Sequence, residues 1–117
     1  MNAGLAIVIV SYNTRERTLA CLRSARAQPA GIPTELIVVD NDSRDGTPEC
    51  VEREAPWARL DRTGANLGYA KAVNRGIAAT SGAYVLVLNP DCVWAPGAIH
   101  ALAAWMGAHQ EDRKSVV

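Results

Sequence analysis

Three short polar clusters hold the residues of this chain that could do chemistry: Ser11-Tyr12-Asn13, Asp40-Asn41-Asp42 and Asn89-Pro90-Asp91. Asp91 is a carboxylate beside an amide. That donor set suits a hard divalent cation that keeps waters and takes phosphate oxygens. Asn, Pro and Asp are also ordinary turn residues, and on the triplet alone a turn is the simpler reading. Asp40 and Asp42 are harder to dismiss. Two carboxylates so close repel each other, and something must offset the repulsion. A fourth stretch, Arg62 to Gly76, contains Asn66, Gly68 and Lys71. Glycines ahead of a helix, with a lysine in its first turn, can hold an anion. A solvated basic face explains Lys71 and Arg75, four apart, more simply. The spacing matches neither a P-loop nor a dinucleotide fingerprint.

The elements that must position these residues are legible from periodicity. Leu5–Val10, Glu35–Val39 and Tyr84–Leu88 are short apolar runs rich in β-formers. They read as strands buried on both faces, as in a parallel sheet. Pro90 cannot give an N–H to a ladder, so the third of these strands stops at Asn89. Trp57 to Leu60 reads as a weaker, edge-like strand. Helices are expected between the strands. The first runs from Arg15 to about Ala27 after a Thr14 cap, with Leu19, Leu22 and Ala25 or Arg26 facing the sheet. The second starts with Thr47 as N-cap and Pro48 as first residue, and finishes before Pro56. The third covers Tyr69 to Ala79, its apolar stripe being Val73 and Ile77 with Tyr69 or Ala70. The last begins near Pro96 and runs to about Met106, burying Ala98, Leu102 and Trp105. Trp57 and Trp94, like Trp105, read as packing residues. His100 and His109 have no partner at ligand spacing and read as surface residues.

The order is βαβα(β)αβα, which argues for an α/β fold with a parallel sheet. All three polar clusters then fall at the carboxyl ends of parallel strands, the edge where open α/β sheets bind ligands. Coincidence explains one such cluster easily and three poorly.

Composition narrows the classes. The chain has 117 residues, one small domain, with 49% hydrophobic residues. Lys plus Arg and Asp plus Glu balance at 12 and 12, so no basic excess points to nucleic acid. Cys21, Cys50 and Cys92 lack metal or CxxC spacing and read as reduced, buried thiols. Apolar runs are too short to span a bilayer. A cytoplasmic protein is expected, with peripheral contact at the inner face of the membrane left open.

Four motifs in order resemble one family. They are Ile-Val-Ile-Val-Ser-Tyr-Asn at 7–13, Leu-Ile-Val-Val-Asp-Asn-Asp-Ser-Arg-Asp-Gly-Thr at 36–47, Asn-Leu-Gly-Tyr-Ala-Lys-Ala-Val-Asn-Arg-Gly at 66–76, and Leu-Asn-Pro-Asp at 88–91. Together they resemble the nucleotide-binding half of a family 2 glycosyltransferase of the GT-A (Rossmann-like) fold. The Val-Asp-Asn and Asn-Pro-Asp variants look most like its rhamnosyltransferase branch. The resemblance implies that Ser11, Tyr12, Asn13, Asp40, Asn41 and Asp42 hold the base and ribose of a UDP- or dTDP-linked sugar. Asp40 is the first choice for the base contact, not separable from Asn41 and Asp42. It places Asn66, Gly68 and Lys71 near ribose and diphosphate. Asn89-Pro90-Asp91 stands at the family's DxD position. Its first acid is an asparagine here, so the resemblance implies Asp91 as the ligand for Mg2+ or Mn2+.

The implied reaction moves the sugar to a hydroxyl of a saccharide or lipid-linked acceptor with inversion, in polysaccharide or glycoconjugate synthesis. The catalytic base is expected beyond this chain. A non-catalytic α/β nucleotide-binding module or remnant is the alternative, and a sugar nucleotidyltransferase ranks last, since no basic glycine loop follows the first strand. Residues 1–111 are expected to form an incomplete donor-binding domain, the sheet truncated at its C-terminus and left with an unpaired edge. Residues 112–117, Asp-Arg-Lys-Ser-Val-Val, match the translated adapter read GATCGGAAGAGCGTCGTG and are expected to be a non-native tail. A product cloned from the intact locus that ends in the same residues would overturn that expectation.

Overall fold

A computed structural model describes residues 4–27, 33–91, 97–108 and 114–116. Five strands form one sheet: β1 (Leu5–Ser11), β2 (Thr34–Asp40), β3 (Arg59–Arg62), β4 (Tyr84–Leu88) and β5 (Lys114–Val116). Their order is β3-β2-β1-β4-β5, and every pairing is parallel. Between them lie α1 (Arg15–Arg26), α2 (Thr47–Glu54), α3 (Tyr69–Ala78) and α4 (Ala98–Ala108).

β1 sits at the centre, and every one of its residues is buried. Side chains alternate across the sheet, so the strand divides its apolar residues between two cores. Leu5, Ile7 and Ile9 face one way, packing with Leu22 and Ala25 of α1, Val51 of α2 and Ile99 of α4. Ala6, Val8 and Val10 face the other way, with Ala72, Val73 and Ile77 of α3. A strand loaded on both faces gives a continuous apolar run in sequence, which is why β1, β2 and β4 are readable without a structure.

The α3 stripe differs from expectation. Ala72 and Gly76 are its buried residues, Val73 and Ile77 flank them, and Tyr69 and Ala70 are exposed. A Cβ on Gly76 would lie 2.5 Å from Val8 Cγ1, so the missing side chain lets the helix backbone seat directly on β1. That contact, not the largest residues, sets the rotation of the helix. α4 departs too: Ile99 is buried and Leu102 half-buried, but Trp105 is 54% exposed. Trp57 does pack on the core edge, with the Arg26 guanidinium 4.6 Å from its ring centroid. Cys21 and Cys50 are buried, and His100 is exposed. Cys92, Trp94, Pro96, His109 and the loop from Pro29 lie outside the described residues, apart from Pro33.

β3 is the edge strand, two residues later than expected. Its side chains carry charge: Arg62 pairs with Glu49 and Glu52, and Asp61 with Arg75. Charged edges resist pairing with other chains. On the far side, β5, which lies within the 112–117 tail, runs alongside β4. The tripeptide Lys-Ser-Val is too short for periodicity to signal a strand.

Candidate functional site

Register brings the polar clusters together. Ser11 lies opposite Asp40 across β1 and β2, and Ile9 opposite Leu88 across β1 and β4. The residues just beyond each strand therefore share one edge. Here Val10, Tyr12, Thr14, Asn41, Asn66, Tyr69, Asn89 and Pro90 line a cleft of about 320 Å³. Tyr12 and Tyr69 are 46% and 55% exposed, so two aromatic rings are available to a ligand there.

Asp40 and Asn41 have different tasks. The Asp40 carboxylate is 1% exposed and fully engaged from within the fold. Its Oδ1 accepts from Ser11 Oγ at 2.7 Å and Ser43 Oγ at 2.6 Å, and its Oδ2 from the Ser43 N–H at 2.9 Å. A buried carboxylate with three donors is satisfied, and Asp40 does not line the cleft. Asn41, 3% exposed, does. Its Oδ1 accepts the Leu67 N–H at 2.9 Å and its Nδ2 donates to the Gly68 carbonyl at 3.2 Å. One amide thereby pins the 66–68 loop as a backbone strand would. Gly68 supports the same loop from a positive φ of 85° and caps α3. Asn66 Oδ1 accepts the Gly68 N–H, which fixes the turn.

The expected repulsion between Asp40 and Asp42 is avoided by geometry. Asp42 has a positive φ of 71°, and its carboxylate pairs with Arg44 at 3.4 Å. Asn13, with φ 52°, also leaves the cleft: its N–H donates to Ser43 Oγ and its Oδ1 accepts the Arg44 N–H. Ser11 is buried and serves Asp40. Lys71 is exposed and is not among the cleft-lining residues, and Arg75 is committed to Asp61 through two hydrogen bonds of 2.7 and 2.8 Å. Those bonds hold the Arg75 guanidinium above its ordinary pKa. The basic face therefore divides into a paired arginine and a solvated lysine.

Beside the cleft lies a second depression of about 340 Å³, lined by Asn13, Thr14, Arg15, Glu16, Arg17 and Asp45. Thr14 borders both. Asp45 joins two helix starts there. Its Oδ2 accepts the Arg15 N–H of α1, and its Oδ1 accepts the Thr47 N–H and hydroxyl of α2. Desolvation pushes the Asp45 carboxyl up, but the donors from Thr47 and Arg15 outweigh it and leave the pKa lowered. The cap of α2 is accordingly Gly46 at φ 84°, with Thr47 as the first helical residue, one position earlier than expected. At α1 the N-cap is Thr14, as expected, but its hydroxyl meets Thr18 Oγ1 and not a backbone N–H.

Asp91 closes the rim. Asn89 Oδ1 accepts the Asp91 N–H at 3.0 Å, so that amide oxygen is already occupied. The exposed Asp91 carboxylate faces Arg17 Nη1 at 3.1 Å. No group of three or more His, Cys, Asp or Glu side chains gathers among the described residues. A single carboxylate fits Mg2+ or Mn2+ only when phosphoryl oxygens and water complete the shell. Three site residues escaped the sequence reading in this role: Thr14, Tyr69 and Arg17. Periodicity offers Tyr69 or Ala70 to the apolar stripe of α3, and nothing in the sequence couples Arg17 to Asp91.

Residues 6–113 match the model of glycosyl transferase family 2. The chain belongs to that family. It is 40% identical over 116 residues to the N-acetylglucosaminyl-diphospho-decaprenol L-rhamnosyltransferase of Mycobacterium tuberculosis, covering 87% of this chain and 36% of that protein. Similarity to the succinoglycan biosynthesis protein ExoO of Rhizobium meliloti is 35% over 88 residues, 74% of this chain and 25% of that one. The expected rhamnosyltransferase likeness is thus borne out, and the chain spans about a third or less of these relatives' length. Among solved structures, the mannosyltransferase PcManGT of Pyrobaculum calidifontis, in complex with GDP-Man and Mn2+, superposes with a TM-score of 0.76 at 27% identity, over 91% of this chain and 33% of that one. TarS of S. aureus superposes at 0.79 with 24% identity, over 93% and 20%. These bear out the GT-A sheet. Among the described residues no helix is long and apolar enough to cross a membrane.

Proposed function

We propose that this chain is the donor-binding part of an inverting glycosyltransferase. It holds a nucleotide-sugar whose glycosyl group goes to a hydroxyl of a saccharide or lipid-linked acceptor at the inner face of the membrane. The observation that carries this is the cleft framed by Tyr12 and Tyr69, with Asn41 and Asn66 inside and Asp91 on its rim. Two exposed aromatic rings beside amides suit a nucleobase, which offers a π-face and a hydrogen-bonding edge. The lipid-linked acceptor is supported by the M. tuberculosis relative, whose name specifies such a substrate. PcManGT, with GDP-Man and Mn2+ bound, supports a metal-assisted donor site.

Asn41 keeps the 66–68 loop in place against the base, and Tyr69 reaches the cleft from the first turn of α3. Asp91 would hold Mg2+ or Mn2+ together with the donor's phosphoryl oxygens. Bound there, the ion offsets negative charge that grows on the departing nucleoside diphosphate. Inversion calls for a base beside the acceptor hydroxyl. Among the described residues the cleft lining has no carboxylate or histidine, and the base is assigned to sequence outside it. The same observation favours a second reading, a non-catalytic nucleotide-binding module.

Calorimetric titration with UDP and with dTDP, with and without Mn2+, tests the proposal. Heat that increases with Mn2+ in the wild type and not in Asp91→Ala supports the transferase reading, and wild-type binding that Mn2+ leaves unchanged supports the second. No heat with either nucleotide, on a folded sample, refutes donor binding. Asp91→Ala is expected to abolish any gain from Mn2+ and leave the melting temperature unchanged.

A further inference from the structure

The cleft has a charge problem. A nucleoside diphosphate carries two or more negative charges, yet among the described residues none of the eight that line the cleft is cationic. Lys71 is not among them, and Arg75 is consumed by Asp61. The adjoining depression, which shares Thr14 with the cleft, has two arginines. Arg15 is committed, its Nε to Glu16 and its Nη1 to the Asp45 carbonyl. Arg17 is different. Its side chain is 67% exposed and pairs with an equally accessible Asp91, 60% exposed. Exposed pairs of this kind are held weakly, so exchanging one anion for another costs little. A guanidinium matches phosphoryl oxygens as well as it matches a carboxylate, through a planar fork of donors.

We infer that Arg17 is a diphosphate-binding residue that Asp91 holds in reserve. Arg17 and a divalent cation compete for Asp91. Without metal, the guanidinium turns from Asp91 to the phosphoryl oxygens and supplies the positive charge of the site. With metal, the ion takes Asp91, and Arg17 is released to the diphosphate beside it. Asn89, where a second acid would strengthen the hold on the ion, makes the metal easier to do without. The inference rests on donor binding in the cleft and extends it to a residue on α1.

The test compares the full chain with Arg17→Met, which keeps the length of the stem, and Arg17→Lys. UDP and dTDP are titrated in EDTA and in saturating Mn2+. Arg17→Met is expected to weaken nucleotide binding about tenfold in EDTA, the scale of one lost charge-assisted contact, and by less in Mn2+. The same variant should therefore gain more nucleotide affinity from Mn2+ than the wild type does, because the ion replaces the charge that Arg17 supplied. Arg17→Lys should restore part of the EDTA affinity. Equal nucleotide affinity of wild type and Arg17→Met in EDTA overturns the inference, as does an equal gain from Mn2+ in the two proteins. If wild type binds no nucleotide at all, donor binding itself is refuted. Thermal melts of the three proteins, expected to coincide, guard against misfolding.

Discussion

Gly76→Ala sets two physical effects against each other at one contact. Alanine is the better helix former, by about 1 kcal/mol over glycine in a helix interior. On that basis alone the change stabilises α3. The structure opposes it: the new Cβ would lie 2.5 Å from Val8 Cγ1 and 3.1 Å from Val39 Cγ2, both on fully buried residues of the central strands. Real carbons do not approach to 2.5 Å, and neither valine can retreat through a packed sheet. The helix must lift or a rotamer must strain, at roughly 1–3 kcal/mol. Packing should therefore win by about 1 kcal/mol, lowering the melting temperature by roughly 3–6 °C for a domain of this size. Urea unfolding should show a lower midpoint with an unchanged slope. Lifting α3 also moves Tyr69 at its first turn, so nucleotide affinity should fall in step. Val8→Ala in the same chain makes room, and the double mutant should be less destabilised than the sum of the singles, a coupling of about 0.5 kcal/mol or more. A Gly76→Ala protein as stable as wild type, or more so, refutes the claim that this glycine seats the helix.

Other expectations follow from single contacts. Asn41→Ala removes two hydrogen bonds to the 66–68 loop and should cost about 1–2 kcal/mol. Faster hydrogen exchange at the Leu67 amide would report it, and unchanged protection would show that the loop does not depend on Asn41. Asp45→Asn should destabilise near neutral pH by about 1 kcal/mol. The folded Asp45 carboxyl titrates below its ordinary value of 3.8, so its contribution is present above that pH and fades as pH falls through the folded pKa. The stability gap between wild type and variant should therefore close in acid; a gap constant down to pH 2 would refute the assignment. Tyr69→Ala, at an exposed residue, should leave the melt unchanged and weaken UDP or dTDP about tenfold by loss of stacking. Equal affinity would remove Tyr69 from the site.

The sequence by itself determined the frame: that β1, β2 and β4 are strands, that they run parallel, and that three polar clusters meet at one edge. Strands buried on both faces must be apolar throughout, and proline must end a ladder, so those facts are written locally. The family is legible for the same reason, since its motifs sit at the strand ends that fix them. Only the tertiary structure decided how the clusters divide their work. Asp40, Asn41 and Asp42 are adjacent letters of equal polarity, yet one carboxylate is sealed by Ser11 and Ser43, one amide clamps a loop 26 residues away, and one acid swings out on a positive φ. The rotation of α3 depended on a side chain that Gly76 lacks, which no apolar stripe reveals. The pairing of Arg17 with Asp91 joins residues far apart in the chain, and such a contact exists only once β1 and β4 lie side by side. Periodicity encodes which face of an element is buried. It does not encode which partner a polar atom meets, because that is set by register and distance between elements.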